Sequence, residues 1–249
     1  MKSYLAYFFD LYGTLADIHT DEDRPALWRF LAEKLAAEGA VYTPAELKRA
    51  WQQAIEADIA RALRSRKNVT CPEADIAAVF RSLYEAKSVH PGDALIRDTA
   101  RSFRQASTTH LRLYAGAKEL LTDLRQSGRQ VYLLSNAQRL FTEPELQMLG
   151  IRDLFDGIFI SSDYGVKKPD LLFYQAALKE CGLQASECLM TGNDLECDIL
   201  GARAAGLDTF YILSGLSPRE RKKTYEKDRR QATFSLHGMD LQYLRRILL

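Results

Sequence analysis

The sequence predicts an α/β protein on a doubly wound parallel sheet, and three observations predict it. From Val131 onward, short apolar runs alternate with amphipathic helical patterns, the rhythm of parallel strands joined by crossover helices. The chain opens on an apolar run, Tyr4 to Phe9, ended by Asp10 and followed at once by Gly13 and Thr14. That is a buried strand carrying a carboxylate into a turn, at the sheet edge where ligands of open α/β sheets bind. Between these parts, residues 17 to about 106 carry long helical patterns and no convincing strand.

In order, the later strands are Val131–Leu134, Gly157–Ile160, Cys188–Thr191 and Thr209–Leu213, with a last apolar stretch at Thr233–Leu236. The helices among them are Gly116–Ser127, Leu171–Cys181, Asp198–Ala205 and the terminal Asp240–Leu249. The intervening region reads as helices Ala26–Glu38, Pro44–Arg64 and Cys71–Ala86, punctuated by Gly39, residues 67–71 and His90-Pro91-Gly92. Were these helices simply packed on the sheet, so long a segment without strands would leave the first strand without its usual crossover partner. The segment reads instead as a separate all-α unit, giving a sheet core of residues 1–16 and 107–249 and a helical insert of 17–106.

With 249 residues, 47% hydrophobic, the chain can bury one substantial core and a smaller second one. A net charge of +1 supplies no global field for nucleic acid or an anionic membrane. The basic run at 219–223 and Arg229-Arg230 are interleaved with acids and read as a solvated helix face. No apolar segment approaches the ~20 residues that span a bilayer. The N-terminal run is too short for a signal peptide and is interrupted by Asp10. Cys71, Cys181, Cys188 and Cys197 show neither a zinc spacing nor a disulfide framework, so a reducing cytoplasm is expected.

Four segments carry chemistry. Asp10, flanked by the amides of a tight turn, is placed as a nucleophile, with the Thr14 hydroxyl ordering it. Ser135-Asn136 ends the second strand with a hydroxyl and an amide, which serve either an anion or a helix N-cap. Lys168 is held just before Pro169, expected in the first turn of the next helix. Asn193, Asp194 and Asp198 cluster oxygens after the fourth strand, a set suited to Mg²⁺, which takes one or two carboxylates plus waters and phosphate oxygens.

Asp10-Leu11-Tyr12-Gly13-Thr14-Leu15, Ser135-Asn136, Lys168-Pro169-Asp170 and Gly192–Asp198, in that order, resemble the four motifs of the haloacid dehalogenase-like (HAD) superfamily. The resemblance implies a Rossmann-like core with a helical cap and a small, anionic substrate attacked by Asp10. It implies that Thr14, Ser135, Asn136 and Lys168 hold the nucleophile and the transferred anion. It also implies Mg²⁺ on Asp10, the Tyr12 carbonyl, Asn193 or Asp194, and Asp198.

Two positions depart from the pattern. Phosphatases of the superfamily carry an acid–base aspartate where Tyr12 stands, a role worth ~10²–10⁴ in rate. A phenol donates a proton but is a poor base at neutral pH. The Asp-x-Tyr pair is what the 2-haloacid dehalogenase branch carries, whose halide leaves without a proton. Asn193 stands where motif IV has its first aspartate, while Asp194 and Asp198 remain. The expectation is a Mg²⁺-dependent, phosphatase-like hydrolase of a small phosphorylated metabolite. The alternatives are a metal-independent 2-haloacid dehalogenase, with Arg24, Arg29 and Arg49 as candidates for its cap-borne arginine, and a weakly catalytic binding protein. The acidic residues Asp17, Asp21, Glu22 and Asp23 read as a solvated linker and helix N-terminus.

Overall fold

The computed structural model describes residues 3–217 and 219–249, with the side chain of Arg219 outside the description. Strand β1 (Ala6–Phe9) is buried along its whole length, as a run without polar alternation requires of a central parallel strand. After it come β2 (Ala16–Thr20), α1 (Pro25–Ala37), α2 (Pro44–Ser65), α3 (Ile76–Glu85), α4 (Asp93–Ser107) and β3 (Thr108–Leu113). Next are α5 (Ala117–Gln126), β4 (Gln130–Ser135), α6 (Arg139–Met148), β5 (Gly157–Ile160), α7 (Ser161–Tyr164), α8 (Leu171–Cys181) and β6 (Cys188–Gly192). A π-helical turn, Leu195–Leu200, leads into α9 (Gly201–Ala204), then β7 (Asp208–Leu213), α10 (Arg219–Asp228), β8 (Phe234–His237) and α11 (Leu241–Leu248).

Six strands form one parallel sheet in the order β5-β4-β1-β6-β7-β8. β4 and β6 flank β1, with Phe9 level with Leu133 on one side and Thr191 on the other. The chain winds outward from β1 in both directions, so β1 is the switch point, and ligands of such sheets bind at the carboxyl ends there. Asp10, Ser135 and Asn193 lie at those three ends. No helix among the described residues is long and apolar enough to cross a membrane.

Helices α1–α4 enclose a core of their own. Trp51 packs on Phe80 and Phe103 with ring centroids 4.8 and 4.9 Å apart, and Phe141 of α6 joins this cluster from the sheet side. The expectation of no strand between residues 17 and 106 is corrected at its start, where β2 runs to Thr20: β2 and β3, the latter just beyond that stretch, pair antiparallel and tie the two ends of the insert together. Both strands are half-exposed and mostly polar, so their apolar content gave no strand signal. Pro169 is likewise displaced from its expected place. It precedes the N-cap of α8 rather than entering the first turn, and the cap is Asp170.

Asp170 also fastens the insert to the sheet core. Its Oδ1 accepts from the Leu172 amide at 3.0 Å. Its Oδ2 accepts from the Thr70 amide at 2.6 Å, the Thr70 hydroxyl at 2.8 Å and the Cys71 amide at 3.1 Å. Burial opposes the charge, but these donors outweigh it and hold the carboxyl below the ordinary carboxylate range. The stabilisation is therefore present above that range and is lost as pH falls through the lowered folded value. Asp170→Ala, which removes a buried carboxylate from four part-buried hydrogen bonds, is expected to cost about 2–4 kcal/mol, read as a melting temperature lower by roughly 5–15 °C.

Candidate active site

Asp10 is almost fully buried at the end of β1, its amide donating to the Thr191 carbonyl of β6 at 3.0 Å. Its Oδ1 accepts from Lys168 Nζ at 2.9 Å and from Ser135 Oγ at 3.2 Å. The turn that follows requires Gly13: its φ is +85°, and a Cβ there would lie 2.5 Å from the Asn193 amide nitrogen. This close approach brings Asn193 beside the Asp10–Thr14 loop. Thr14 Oγ1 lies 3.5 Å from Asp10 Oδ2 and 3.2 Å from Asn193 Oδ1.

Lys168 is buried and bonded on three sides, to Asp10 Oδ1, to Asp198 Oδ1 at 2.6 Å and to the Leu134 carbonyl at 2.8 Å. Burial works against its charge, yet Asp10 and Asp198 outweigh burial and hold the ammonium above the ordinary lysine range. Burial pushes the Asp198 carboxyl up to about 7, because one ammonium shared between two carboxylates only partly offsets burial and their repulsion. The other oxygen of Asp198 accepts from the Asp194 amide at 2.9 Å. Asp198 lies so close to Gly192 that a Cβ on the glycine would meet its carboxyl at 2.2 Å.

Asn136 faces the peptide of Lys168 rather than Asp10. Its amide donates to the Lys168 carbonyl at 2.9 Å, and its oxygen accepts from the Lys168 amide at 2.8 Å. The side chain thus clamps the lysine loop. Asp194 turns outward, exposed, and caps the next turn through the Cys197 amide at 2.8 Å. The predicted oxygen cluster is therefore divided: Asp10 and Asn193 converge on Thr14, Asp198 is committed to Lys168, and Asp194 is a cap. Among the described residues no three His, Cys, Asp or Glu side chains gather as a metal cluster.

A model of haloacid dehalogenase-like hydrolases matches residues 4–206. The chain belongs to that family. Among curated relatives of this HAD-like hydrolase, the ribulose-1,5-bisphosphate 5-phosphatase of Halopiger xanaduensis is 33% identical over 146 residues, 59% of either chain. The glyceraldehyde 3-phosphate phosphatase of Methanothermobacter thermautotrophicus is 32% identical over 111 residues, 45% of this chain and 49% of the relative. The chain thus spans about half to three-fifths of the length of the curated relatives it matches. The structure of the L-2-haloacid dehalogenase from Xanthobacter autotrophicus shares the fold, with a TM-score of 0.55 at 20% identity and 98% of each chain covered.

In this HAD-like hydrolase the Tyr12 phenol is directed away from Asp10. It donates to Glu145 Oε2, and its oxygen lies 3.1 Å from Thr142 Oγ1, both on α6. Burial first, and the Glu145 carboxylate second, push the phenol well above its ordinary value. Arg104 of α4 completes the wall: its Nε donates to Glu145 Oε1 at 2.6 Å, and its guanidinium lies 5.6 Å from the centroid of the Tyr12 ring. A cleft of about 690 Å³ lies between this wall and the lysine loop. Arg104, Glu22, Glu73, Asn136, Lys167, Lys168 and Cys197 line it with Tyr12. The arginine at the cleft is thus Arg104, which the sequence reading missed. Arg29 and Arg49 are exposed elsewhere, and Arg24 donates to the Ala106 carbonyl.

Proposed function

We propose that this chain is a phosphohydrolase of the HAD family, with Asp10 as nucleophile and a small anionic phosphomonoester or acyl phosphate as substrate. The observation that carries it is the buried Lys168, hydrogen-bonded to Asp10 and held by a second carboxylate. Such a lysine aims the nucleophile and offsets the charge that would repel a phosphoryl group. The phosphatase relatives support the same chemistry. Helices α1–α4, as a cap over the cleft, limit water during the first step. We place the enzyme in the cytoplasm, where its four thiols stay reduced.

Asp10 and Asp198 set two carboxyls against the one ammonium of Lys168, an excess of acid that favours a cation before an anionic substrate binds. The donors suit a hard one. Thr14 has one hydroxyl proton between Asp10 Oδ2 and Asn193 Oδ1, so one of these oxygens lacks its donor whichever way the hydroxyl points. These two oxygens with the Tyr12 carbonyl would hold Mg²⁺, and Asp198 and Asp194 would order the loop around it. When bound, Mg²⁺ supplies charge neutralisation on the phosphoryl oxygens. With one carboxylate and one amide the site is a weak one. Asn193→Asp is expected to tighten Mg²⁺ binding roughly ten- to hundredfold, read as a lower Mg²⁺ midpoint for activity and for thermal stabilisation.

The test is phosphate release from a panel of sugar and triose phosphates and acetyl phosphate, with Mg²⁺ titrated. Stabilisation by Mg²⁺ with beryllofluoride is measured beside it. No turnover and no stabilisation would sink the reading. A second reading, metal-independent 2-haloacid dehalogenase, is favoured by Tyr12 and Asn193, which remove two carboxylates from the phosphatase pattern. Chloride release from 2-chloropropionate without metal would establish it instead.

A further inference from the structure

The Tyr12 hydroxyl is engaged by Glu145 and Thr142, so an alkyl phosphate leaving group has no proton donor at that position. Two carboxylates line the cleft, Glu22 and Glu73. Glu73 is occupied: its Oε2 accepts from Ser161 Oγ at 2.7 Å and its Oε1 from the Gln138 amide at 3.2 Å. Among the described residues none donates a hydrogen bond to the Glu22 carboxylate, although its backbone is fixed on both sides. The Trp28 indole donates to the Glu22 carbonyl at 2.7 Å, and Asp21 Oδ1 accepts from the amides of Asp23 at 3.0 Å and Arg24 at 3.1 Å. Glu22 is thus an exposed, uncommitted acid at the cleft, carried on a fixed backbone.

Resting on the phosphohydrolase reading, we propose that Glu22 is the acid–base residue of this site, in place of the aspartate that Tyr12 displaces. Asp10 attacks phosphorus, the ester P–O bond breaks, and its electron pair passes to the leaving oxygen, which takes the Glu22 proton and departs as the alcohol. The Glu22 carboxylate then accepts a proton from water as the water oxygen bonds to phosphorus. The Asp10 O–P bond breaks with its pair returning to Asp10, and phosphate leaves with Glu22 protonated again. Burial raises the Glu22 carboxyl above its ordinary value against the opposing charge of Arg104, with Asp23 adding to the rise, which suits a proton donor. The other ionisable groups on the cleft wall are Tyr12, Glu73, Cys71, Cys197, Lys167 and Lys168. The residue as a whole is exposed, so the desolvation comes from the cleft side alone, and the open side is a route for proton exchange between turnovers.

The test compares Glu22→Gln with the wild type in the first turnover, so that water attack does not enter. A panel of alkyl phosphomonoesters, whose alkoxide needs a proton, is set against p-nitrophenyl phosphate, whose phenolate does not. The expected result is a fall of about 10²-fold or more on alkyl esters and less than about tenfold in the nitrophenol burst. After the burst the variant stalls with phosphate on Asp10, and Glu22→Asp recovers part of the alkyl rate. An equal loss on both ester classes, or no loss on the alkyl esters, overturns the assignment and leaves the phosphohydrolase reading standing. So does a wild type that turns over the aryl ester and no alkyl ester. A wild type inert to every phosphate overturns the reading and the assignment together.

Discussion

Asp10→Asn is expected to lower phosphate release by at least about 10⁴-fold, since removal of a nucleophile leaves only binding and positioning, while the fold survives. Asparagine keeps the volume of the side chain and an oxygen for Lys168 Nζ and Ser135 Oγ. The substitution also removes one of the two carboxylates that share a single ammonium. Repulsion on Asp198 then falls, so the melting temperature of the variant should equal or exceed that of the wild type. A loss of activity with no loss of stability separates a chemical role from a structural one. Full hydrolytic activity in the variant would be fatal to the assignment of Asp10.

Lys168→Met should act in the opposite sense on stability. It leaves Asp10 and Asp198 buried without their cation, and breaking such a pair costs about 3–5 kcal/mol, or roughly 6–20 °C in melting temperature for a chain of this size. The sign of the pH dependence follows from Asp198. Its carboxyl is pushed up to about 7 in the folded protein, so the folded state holds that proton more tightly than the unfolded chain. The resulting stabilisation is complete below the ordinary carboxylate range and is lost as pH rises through about 7. Without Lys168 this dependence steepens, and the gap between variant and wild type should be much smaller at pH 5 than at pH 8. Thermal melts across that interval decide it. A gap independent of pH would mean that packing, rather than charge, is what Lys168 provides.

The sheet was legible because its strands are short apolar runs ended by polar residues, and the ends of three of them placed Asp10, Ser135 and Asn193 together. Lys168 was legible from Pro169, although the proline stands two residues before the first helical position of α8 rather than in it. What stayed hidden depends on distant contacts. Pro144 lies inside α6 and masks the helix in the sequence, and without that helix in view Thr142 and Glu145 had no place near Tyr12, more than a hundred residues earlier in the chain. Arg104 sits on α4, in a stretch read without a helix of its own. Nothing local in Ser135-Asn136 told that the amide would clamp a backbone. Nor did spacing tell which of Asp194 and Asp198 would face inward, because the turn between them is π-helical. Glu22 was read as part of a solvated linker, since only the tertiary fold brings that linker to the cleft.

The ribbon of β2 and β3 sets His19 opposite His110, so the helical insert departs from and rejoins the sheet through neighbouring chain ends. A module attached in this way is exchangeable. Another insert has to match two adjoining termini, while the strand ends at Asp10 and Ser135 and the loop that holds Lys168 are left as they are. What must travel with a replacement are the groups that key the insert to its host, among them the partners of Phe141, Glu145 and Asp170 and the Glu73 carboxylate that accepts from Ser161. Grafting the insert of a relative onto this sheet would therefore exchange Glu22 and Arg104 along with the helices, and with them the acid–base group proposed for the cleft.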